Sequence, residues 1–311
     1  MTALIALGAG TALVGWHGHR LLLRLGDLRL DPTILLTGWL LTTLGFVGSL
    51  LAAVSLAALP VDSHHAGTFD LAGHCWVALS SGTLPRAAEA IAAMGLASAT
   101  LVLVRLALVV HARLRSRRRN APHLHQLRLL AGDCRTTDPL WIQDDRPIAL
   151  AIGGRSGLIV MSQALRDHLT PAAVHATLEH ERAHLRGRHH LLLAVVETLA
   201  AALPWCPLLR AAPGATRDLV EMAADSRAAR RCGPSAVREA LSRLTSHAVP
   251  TGGLAMAGRL TEARLQRLTT GSVGANRYSR LAGCSAVAVG ALMLPTAAAA
   301  LVASVVQCAF V

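Results

Sequence analysis

The residues best suited to chemistry form an HExxH motif, His180-Glu181-Arg182-Ala183-His184. Four residues advance an α-helix by about one turn, so both imidazoles face the same point and can hold one metal ion. Glu181 follows the first histidine and is placed to take a proton from an attacking water. The motif therefore predicts a zinc site for peptide-bond hydrolysis, with His180 and His184 as ligands and Glu181 as the general base.

A catalytic zinc ion needs a third protein ligand. Glu221 is the best candidate among the seven glutamates, because Asp225 follows it by about one helical turn. This spacing would let Glu221 bind the metal while Asp225 orients a ligand histidine. A helix that shows both acids to solvent is the alternative explanation. Glu239 and Glu262 remain weaker candidates. Three other glutamates are disfavoured by their positions, namely Glu89, Glu179 and Glu197.

Other histidines near the motif fit metal binding less well. His189 and His190 fall away from the metal-facing side of a continuing helix, and a basic cluster at a membrane interface explains them better. His175 is expected on the surface of the same helix. His247 is a weaker candidate for the donor that stabilises the oxyanion of a tetrahedral intermediate.

The elements around the motif are predicted to be mixed. Residues 125–130, 148–152 and 157–161 are candidate strands, and the last is the clearest. If strand 157–161 lies at a sheet edge, it could bind an extended substrate as an added strand, whereas a purely structural strand is the alternative. Thr170-Pro171 predicts the start of a helix that continues to about residue 190. A second helix is predicted over 216–231, ended by Gly233-Pro234.

The composition indicates a membrane protein. Apolar residues make up 53% of the 311-residue chain and charged residues 15%, whereas about a quarter of a soluble protein is charged. A transmembrane helix needs about 20 mostly apolar residues. The stretches that meet this requirement are 2–23, 33–59, 87–110 and 282–306.

The distribution of arginine predicts an orientation in the membrane. The links that follow the first and third apolar stretches are rich in arginine, whereas the link 60–86 carries only Arg86. The positive-inside rule then places the N-terminus outside and residues 112–280 in the cytoplasm. A fifth apolar run, 191–209, would separate the two halves of the metal site if it crossed the bilayer. We therefore expect a buried, re-entrant or membrane-associated helix there.

A family resemblance rests on the run from Leu178 to His190 together with Glu221-Met222-Ala223-Ala224-Asp225-Ser226-Arg227-Ala228. These residues resemble peptidase family M56, the BlaR1/MecR1-type membrane metallopeptidases, which are gluzincins. The resemblance extends to about residue 270, and its specific motifs lie within 175–230. It implies a zincin-like fold among transmembrane helices, with two histidines and one glutamate as zinc ligands. The M48 membrane proteases share HExxH and ExxxD and are the nearest alternative.

Antibiotic-sensing members of that family carry an extracellular penicillin-binding domain after the last helix. Since this sequence ends at Val311, a few residues past the final apolar stretch, we expect no such sensor.

The predicted architecture is a polytopic α-helical membrane protein with an inserted α+β zincin-like (gluzincin) metalloprotease domain. Residues 1–111 would carry three transmembrane helices, 112–280 the cytoplasmic protease domain, and 281–311 a C-terminal transmembrane helix. The expected activity is zinc-dependent cleavage of a protein or peptide on the cytoplasmic side, in regulated proteolysis or signalling. By the resemblance, the substrate would be a transcriptional repressor or the protease itself.

Other classes of function are less consistent with the sequence. A catalytically silent membrane sensor or scaffold with a structural metal site is the main alternative. A transporter is disfavoured because the four apolar stretches are nearly free of acidic residues. The net charge of +12 suggests nucleic acid, but one Tyr and three Phe leave little aromatic surface for base stacking, so no nucleic acid is expected as a partner.

Overall fold

A computed structural model describes residues 2–26, 30–58, 93, 97–98, 100–116, 139–154, 157–247, 254–269 and 281–289. These residues are mostly helical and include a small three-stranded sheet. The predicted strand at 125–130, Glu89, and large parts of the apolar stretches 87–110 and 282–306 lie outside the described residues.

Two long helices begin the chain, α1 (Thr2–Gly26) and α2 (Pro32–Ala58). Asp31 caps α2, because its carboxylate accepts a hydrogen bond of 2.9 Å from the Thr33 amide. Among the described residues, one segment, Pro32–Ala52, is long and apolar enough to cross a membrane. Its most apolar part is 39% buried against the rest of the protein, and core helices of soluble proteins share this length and composition.

Two further helical segments accompany this pair. Residues 100–116 form α3, which contains the end of the third predicted stretch, and residues 281–289 form α10. α10 packs on α2, where the Cys284 thiol lies 3.6 Å from the Thr37 hydroxyl.

The sheet consists of β1 (Leu140–Ile142), β2 (Ala149–Ile152) and β3 (Leu158–Ser162), in the order β1-β3-β2. β3 pairs in parallel with β1 and antiparallel with β2. β2 and β3 agree with the strands predicted at 148–152 and 157–161. The hypothesis that strand 157–161 is an edge strand is wrong, because this strand, β3, lies between β1 and β2. All five residues of β3 are buried, as is usual for a central strand.

The motif lies on α5 (Pro171–Arg186), which follows a short α4 (Ala164–His168). α5 begins as predicted, with the Thr170 hydroxyl accepting from the Ala173 amide and Pro171 in the first turn. The helix ends earlier than the predicted residue 190. Gly187 and Arg188 form a turn in which Arg188 adopts a left-handed conformation with φ 48°, and a new helix, α6 (His189–Ala202), follows.

A long helix, α7 (Pro207–Cys232), carries the second motif. It begins at Pro207 rather than near residue 216, since Pro207 fits the first turn and Pro213 is accommodated inside the helix. It ends as predicted at Gly233, whose φ is 84°. The run 191–209 is therefore divided between α6 and the start of α7. Two more helices follow, α8 (Pro234–His247) and α9 (Leu254–Thr269).

The largest apolar core lies among α1, α2, α6 and α7, with Trp39, Val196, Leu208 and Leu209 nearly fully buried. α5 packs instead on the sheet and on α8, through smaller clusters that include Met161. α7 takes part in both regions. Its first half belongs to the large core, and its second half faces α5 and carries the candidate ligands.

Candidate metal centre

Three side chains from α5 and α7 converge on one point. Nε2 of His180 lies 3.0 Å from Nε2 of His184, and the Glu221 carboxylate lies 3.3 Å and 3.4 Å from these two nitrogens. Zinc–ligand bonds of about 2.0–2.1 Å in a tetrahedral site place neighbouring donors about 3.3 Å apart. This donor set and its spacing fit a metal ion, so the three residues could hold one.

Small residues allow α5 and α7 to approach closely enough for this convergence. Ala176 and Ala183 on α5, and Ala224 and Ala228 on α7, are at most 2% exposed. His180 and His184 lie one turn apart on the same face of α5, as the motif predicted. Glu221 and Asp225 lie one turn apart on the facing side of α7. The two helices thus supply the complete set of predicted site residues.

Asp225 contacts the first histidine, as predicted. Its carboxylate is 4% exposed and lies 2.9 Å from Nδ1 of His180. A hydrogen bond from Nδ1–H of His180 to this carboxylate leaves the lone pair on Nε2 of His180, which faces His184 and Glu221. Such an outer partner fixes the tautomer and the orientation of a ligand histidine.

Arg264 on α9 completes the inner part of the site, and the sequence did not indicate it. Its guanidinium donates two hydrogen bonds to Asp225, of 2.6 Å and 2.8 Å, and lies 3.4 Å from the Glu221 carboxylate. The side chain is 13% exposed. Arg264 therefore compensates two partly desolvated negative charges at once.

The electrostatics of the site favour a cation. Burial raises the pKa values of Glu221 and Asp225. A hydrogen bond with His180 and the charges of His180 and Arg264 lower the pKa of Glu221 to about 2, and hydrogen bonds with Arg264 and His180 lower that of Asp225 to about 2. Burial lowers the pKa of His184 to about 4, so this imidazole is neutral. Burial opposes the protonation of His180, yet its contacts with both carboxylates raise its pKa to about 10. Either a proton on His180 or a metal ion bound at this site would therefore balance the negative charge of Glu221 and Asp225.

Glu181 lies beside the donor group and accepts a hydrogen bond from the Ala151 amide of β2. Burial raises the pKa of its carboxyl, although the charge of His180 works in the opposite direction. A carboxylate with a raised pKa is a better proton acceptor near neutral pH. The position and environment of Glu181 are thus compatible with a general base.

A cavity of about 440 Å³ opens onto these groups. His180, Glu181, Glu221, Asp225 and Arg264 line its polar part. The apolar wall comes mainly from α8, through Val237, Ala240, Leu241 and Leu244. The start of β2 and the two residues before it form another side, which consists of Pro147, Ile148 and Ala149. An apolar pocket with a few convergent polar groups is typical of a binding site for a substrate side chain.

The less favoured glutamates are engaged elsewhere or exposed. Glu179 is 2% exposed and accepts hydrogen bonds from three arginines, and Glu197 pairs with two. Glu239 accepts from the Thr170 hydroxyl at the start of α5, and Glu262 is exposed on α9. None of these four belongs to the group of possible metal ligands that the described residues form, which consists of His180, His184 and Glu221.

The remaining histidines have different outcomes. His175 is exposed on α5, as expected, with Nδ1 3.2 Å from the Cys232 thiol. His247 is the last residue of α8, and its side chain lies outside the described part of the structure. The expectation that His189 lies away from the metal-facing side is wrong. The turn after α5 brings this residue back, and its Nδ1 lies 3.0 Å from Nδ1 of His184.

Comparisons with protein-family models, with curated proteins and with solved structures find no match. The functional assignment therefore depends on the chemistry and the geometry of these residues.

Proposed function

We propose that the protein is an integral-membrane, zinc-dependent endopeptidase that cleaves a protein substrate on the cytoplasmic side. The observation that carries this proposal is the convergence of His180, His184 and Glu221 beside a cavity of about 440 Å³, which His180, Glu181 and Glu221 line. Two histidines and one carboxylate, with an adjacent glutamate, are the residues that a metallopeptidase requires. The resemblance to the M56 membrane metallopeptidases supports the same reaction and a zincin-like arrangement.

The chain's own residues divide the chemical tasks. A zinc ion held by His180, His184 and Glu221 would lower the pKa of a water molecule and polarise the scissile carbonyl. Glu181 takes the proton from the attacking water and returns it to the leaving amine. Asp225 holds His180 in the tautomer that presents Nε2 to the metal.

Among the described residues, β2 pairs with a strand on one side only, and its other edge supports a peptide substrate in an extended conformation. The Ile148 carbonyl accepts a hydrogen bond of 2.9 Å from the Ser162 amide, which fixes the phase of the antiparallel pairing. In this pairing, the amide and carbonyl groups of every second residue of β2 face away from β3. These residues are Ala149 and Ala151. A substrate strand can pair with the amide and carbonyl of Ala149 and with the carbonyl of Ala151, next to Glu181, which accepts from the Ala151 amide. This role moves from strand 157–161, where the sequence suggested it, to β2.

The membrane location is part of the proposal. The composition, the apolar stretches and the arginine distribution all favour several crossings. Large apolar side chains on α3 are more than half exposed, which suits contact with lipid: Leu101, Leu103, Val104 and Leu108. A regulated substrate such as a transcriptional repressor, or the protein itself, is consistent with a catalytic domain at the inner face.

The test is bound metal and cleavage in detergent-purified protein. We expect about one zinc ion per chain in the wild type and in Glu181→Gln, and a sharply reduced content in His184→Ala and Glu221→Ala. Cleavage of an unfolded protein substrate, or self-cleavage, should fall at least a hundredfold in all three variants, because each removes a ligand or the base. Glu262→Gln, which changes an exposed glutamate, is the matched control and should behave as the wild type.

The outcomes separate the alternatives. Cleavage that persists in Glu181→Gln would exclude the proposed mechanism. Metal loss in His184→Ala but not in Glu221→Ala would remove Glu221 from the ligands. Zinc binding without cleavage of any protein, the chain itself included, would favour a silent sensor or scaffold.

A further inference from the structure

The turn between α5 and α6 returns the chain to the metal centre. On a continuous helix, five residues advance by about 140° beyond a full turn, so His189 would face away from His184. Instead, α5 ends at Arg186, Arg188 adopts φ 48° and ψ 38°, and α6 starts at His189. The His189 side chain is 7% exposed as a result, and its ring lies edge-on to that of His184 at a centroid distance of 4.8 Å.

Gly187 provides the space for this arrangement. Its φ is −77°, so glycine is not required by the backbone conformation. A methyl group at this position would lie 2.3 Å from Nε2 of His189, far inside van der Waals contact. The absence of a side chain at Gly187 therefore allows the His189 ring to lie against the end of α5.

The direction of the hydrogen bond between the two histidines follows from the metal site. Nε2 of His184 faces His180 and Glu221, and it must carry a lone pair to bind a metal ion. A neutral imidazole carries one N–H, so the proton of His184 is on Nδ1. Nδ1 of His184 lies 3.0 Å from Nδ1 of His189. His189 must therefore accept this hydrogen bond, with its own proton on Nε2.

We propose that His189 is a positioning residue that fixes the tautomer and the orientation of the ligand His184. This inference rests on the proposed metal-dependent function. His189 does for His184 what Asp225 does for His180, but it is a neutral acceptor and adds no negative charge to a site that already has two carboxylates. The two ligand histidines thus have outer partners of different kinds, one from α7 and one from α6.

The proposal is tested by zinc affinity, measured by competition with a chromophoric chelator, and by the visible spectrum of the Co²⁺ protein. Loss of an outer partner typically costs ten- to a hundredfold in metal affinity, so we expect that loss in His189→Ala. His189→Asn should recover most of it, because the amide oxygen of asparagine can occupy the position of Nδ1 and accept the same hydrogen bond. The Co²⁺ spectrum of each variant should keep the wild-type form, since no ligand has changed. His190→Ala, one residue along, is the control and should bind zinc as the wild type does.

Each outcome decides a different point. Equal affinity in the wild type and His189→Ala would overturn the positioning role, and so would failure of His189→Asn to improve on alanine. A changed Co²⁺ spectrum in His189→Ala would make His189 a ligand instead. No zinc binding in the wild type would overturn the proposed function together with this inference. Thermal unfolding of the metal-free variants separates loss of affinity from loss of folding.

Discussion

Arg264 determines the charge balance of the site at the scale of single residues. It contacts Asp225 through two hydrogen bonds and lies 3.4 Å from Glu221, so one guanidinium faces two carboxylates of lowered pKa. Without it, His180 would remain as the main described cation beside both carboxylates. A metal ion bound by Glu221 would share with Arg264 the task of compensating this negative charge.

Replacing Arg264 should make the fold depend more strongly on metal. Arg264→Gln leaves the two carboxylates with less positive charge to compensate them, and removing one partner of a buried ion pair typically costs about 3–5 kcal/mol. We expect the midpoint of thermal unfolding of the metal-free protein to fall. Addition of zinc should raise this midpoint more in Arg264→Gln than in the wild type. Arg264→Lys keeps the charge without the forked geometry, so it should be intermediate.

Differential scanning fluorimetry in detergent, with and without zinc, measures both effects. Arg146→Gln is the control, because Arg146 is 77% exposed and lies outside the site. An unchanged midpoint for metal-free Arg264→Gln would contradict the role of this residue.

Prediction from the sequence succeeded where the relevant spacing is local. His180, Glu181 and His184 lie within one turn of one helix, and Glu221 and Asp225 within one turn of another, so a helical wheel is enough to group them. Arg264 lies 39 residues beyond Asp225, in a helix with two other arginines, and nothing in its spacing distinguishes it. His189 depends on a two-residue turn that the glycine at 187 indicates only weakly.

Strand order shows the same limit at the scale of elements. β2 and β3 could be predicted from their apolar runs, but the pairing of β3 with β1 joins segments about 20 residues apart in the chain and is not visible in local pattern. The division of 191–209 into two helices was only partly predictable. Pro204 and Pro207 indicated a break, whereas Pro213 lies inside α7 without ending it.

The edge of β2 that has no strand partner among the described residues gives a prediction at this scale. Ala149→Pro removes an amide that faces away from β3, so the pairing of β2 with β3 should persist, since proline is tolerated on edge strands. A substrate strand would lose one backbone hydrogen bond, and we expect kcat/KM for a peptide substrate to fall about tenfold, as for the loss of about 1.4 kcal/mol. Zinc content should not change.

Leu150→Ala is the matched control for this strand. The Leu150 side chain is 53% exposed, and its replacement leaves the backbone of β2 intact. If Ala149→Pro cleaves peptides as well as the wild type, substrate does not bind at this edge.

At the scale of the whole molecule, the candidate site is continuous with the helices that are predicted to lie in the membrane. α7 extends from the core shared with α1 and α2 to Glu221 and Asp225. α9, which carries Arg264, is also tied to the link between α1 and α2, where Arg267 donates a 2.9 Å hydrogen bond to the Leu30 carbonyl. Both helices that carry Asp225 and Arg264 are therefore connected to the pair α1 and α2.

Contacts of α3 with α6 and with the turn that follows α6 bear on the topology. Arg113 on α3 forms a 3.0 Å ion pair with Glu197 on α6, and Glu197 also pairs with Arg217 on α7. Arg105 lies over the ring of Trp205, in the turn between α6 and α7. α6 has only 14 residues, fewer than a helix that crosses the bilayer needs. Under the proposed topology, these contacts and the short length of α6 are consistent with a helix that does not cross the bilayer.

Reporter fusions test this topology directly. Fusions after residues 30, 120, 188 and 212 should report a cytoplasmic location, because arginine-rich links stay inside. Fusions after residues 70 and 311 should report an external location and serve as controls for the same reporter.

The pair at 188 and 212 brackets α6, so opposite locations for these two would mean that α6 crosses the bilayer. In that case the turn that carries His189 and the carboxylates of α7 would lie on different sides of the membrane, and the donor group could not form. A cytoplasmic location at both positions leaves α5, α6 and α7 in one compartment, as a common metal site requires.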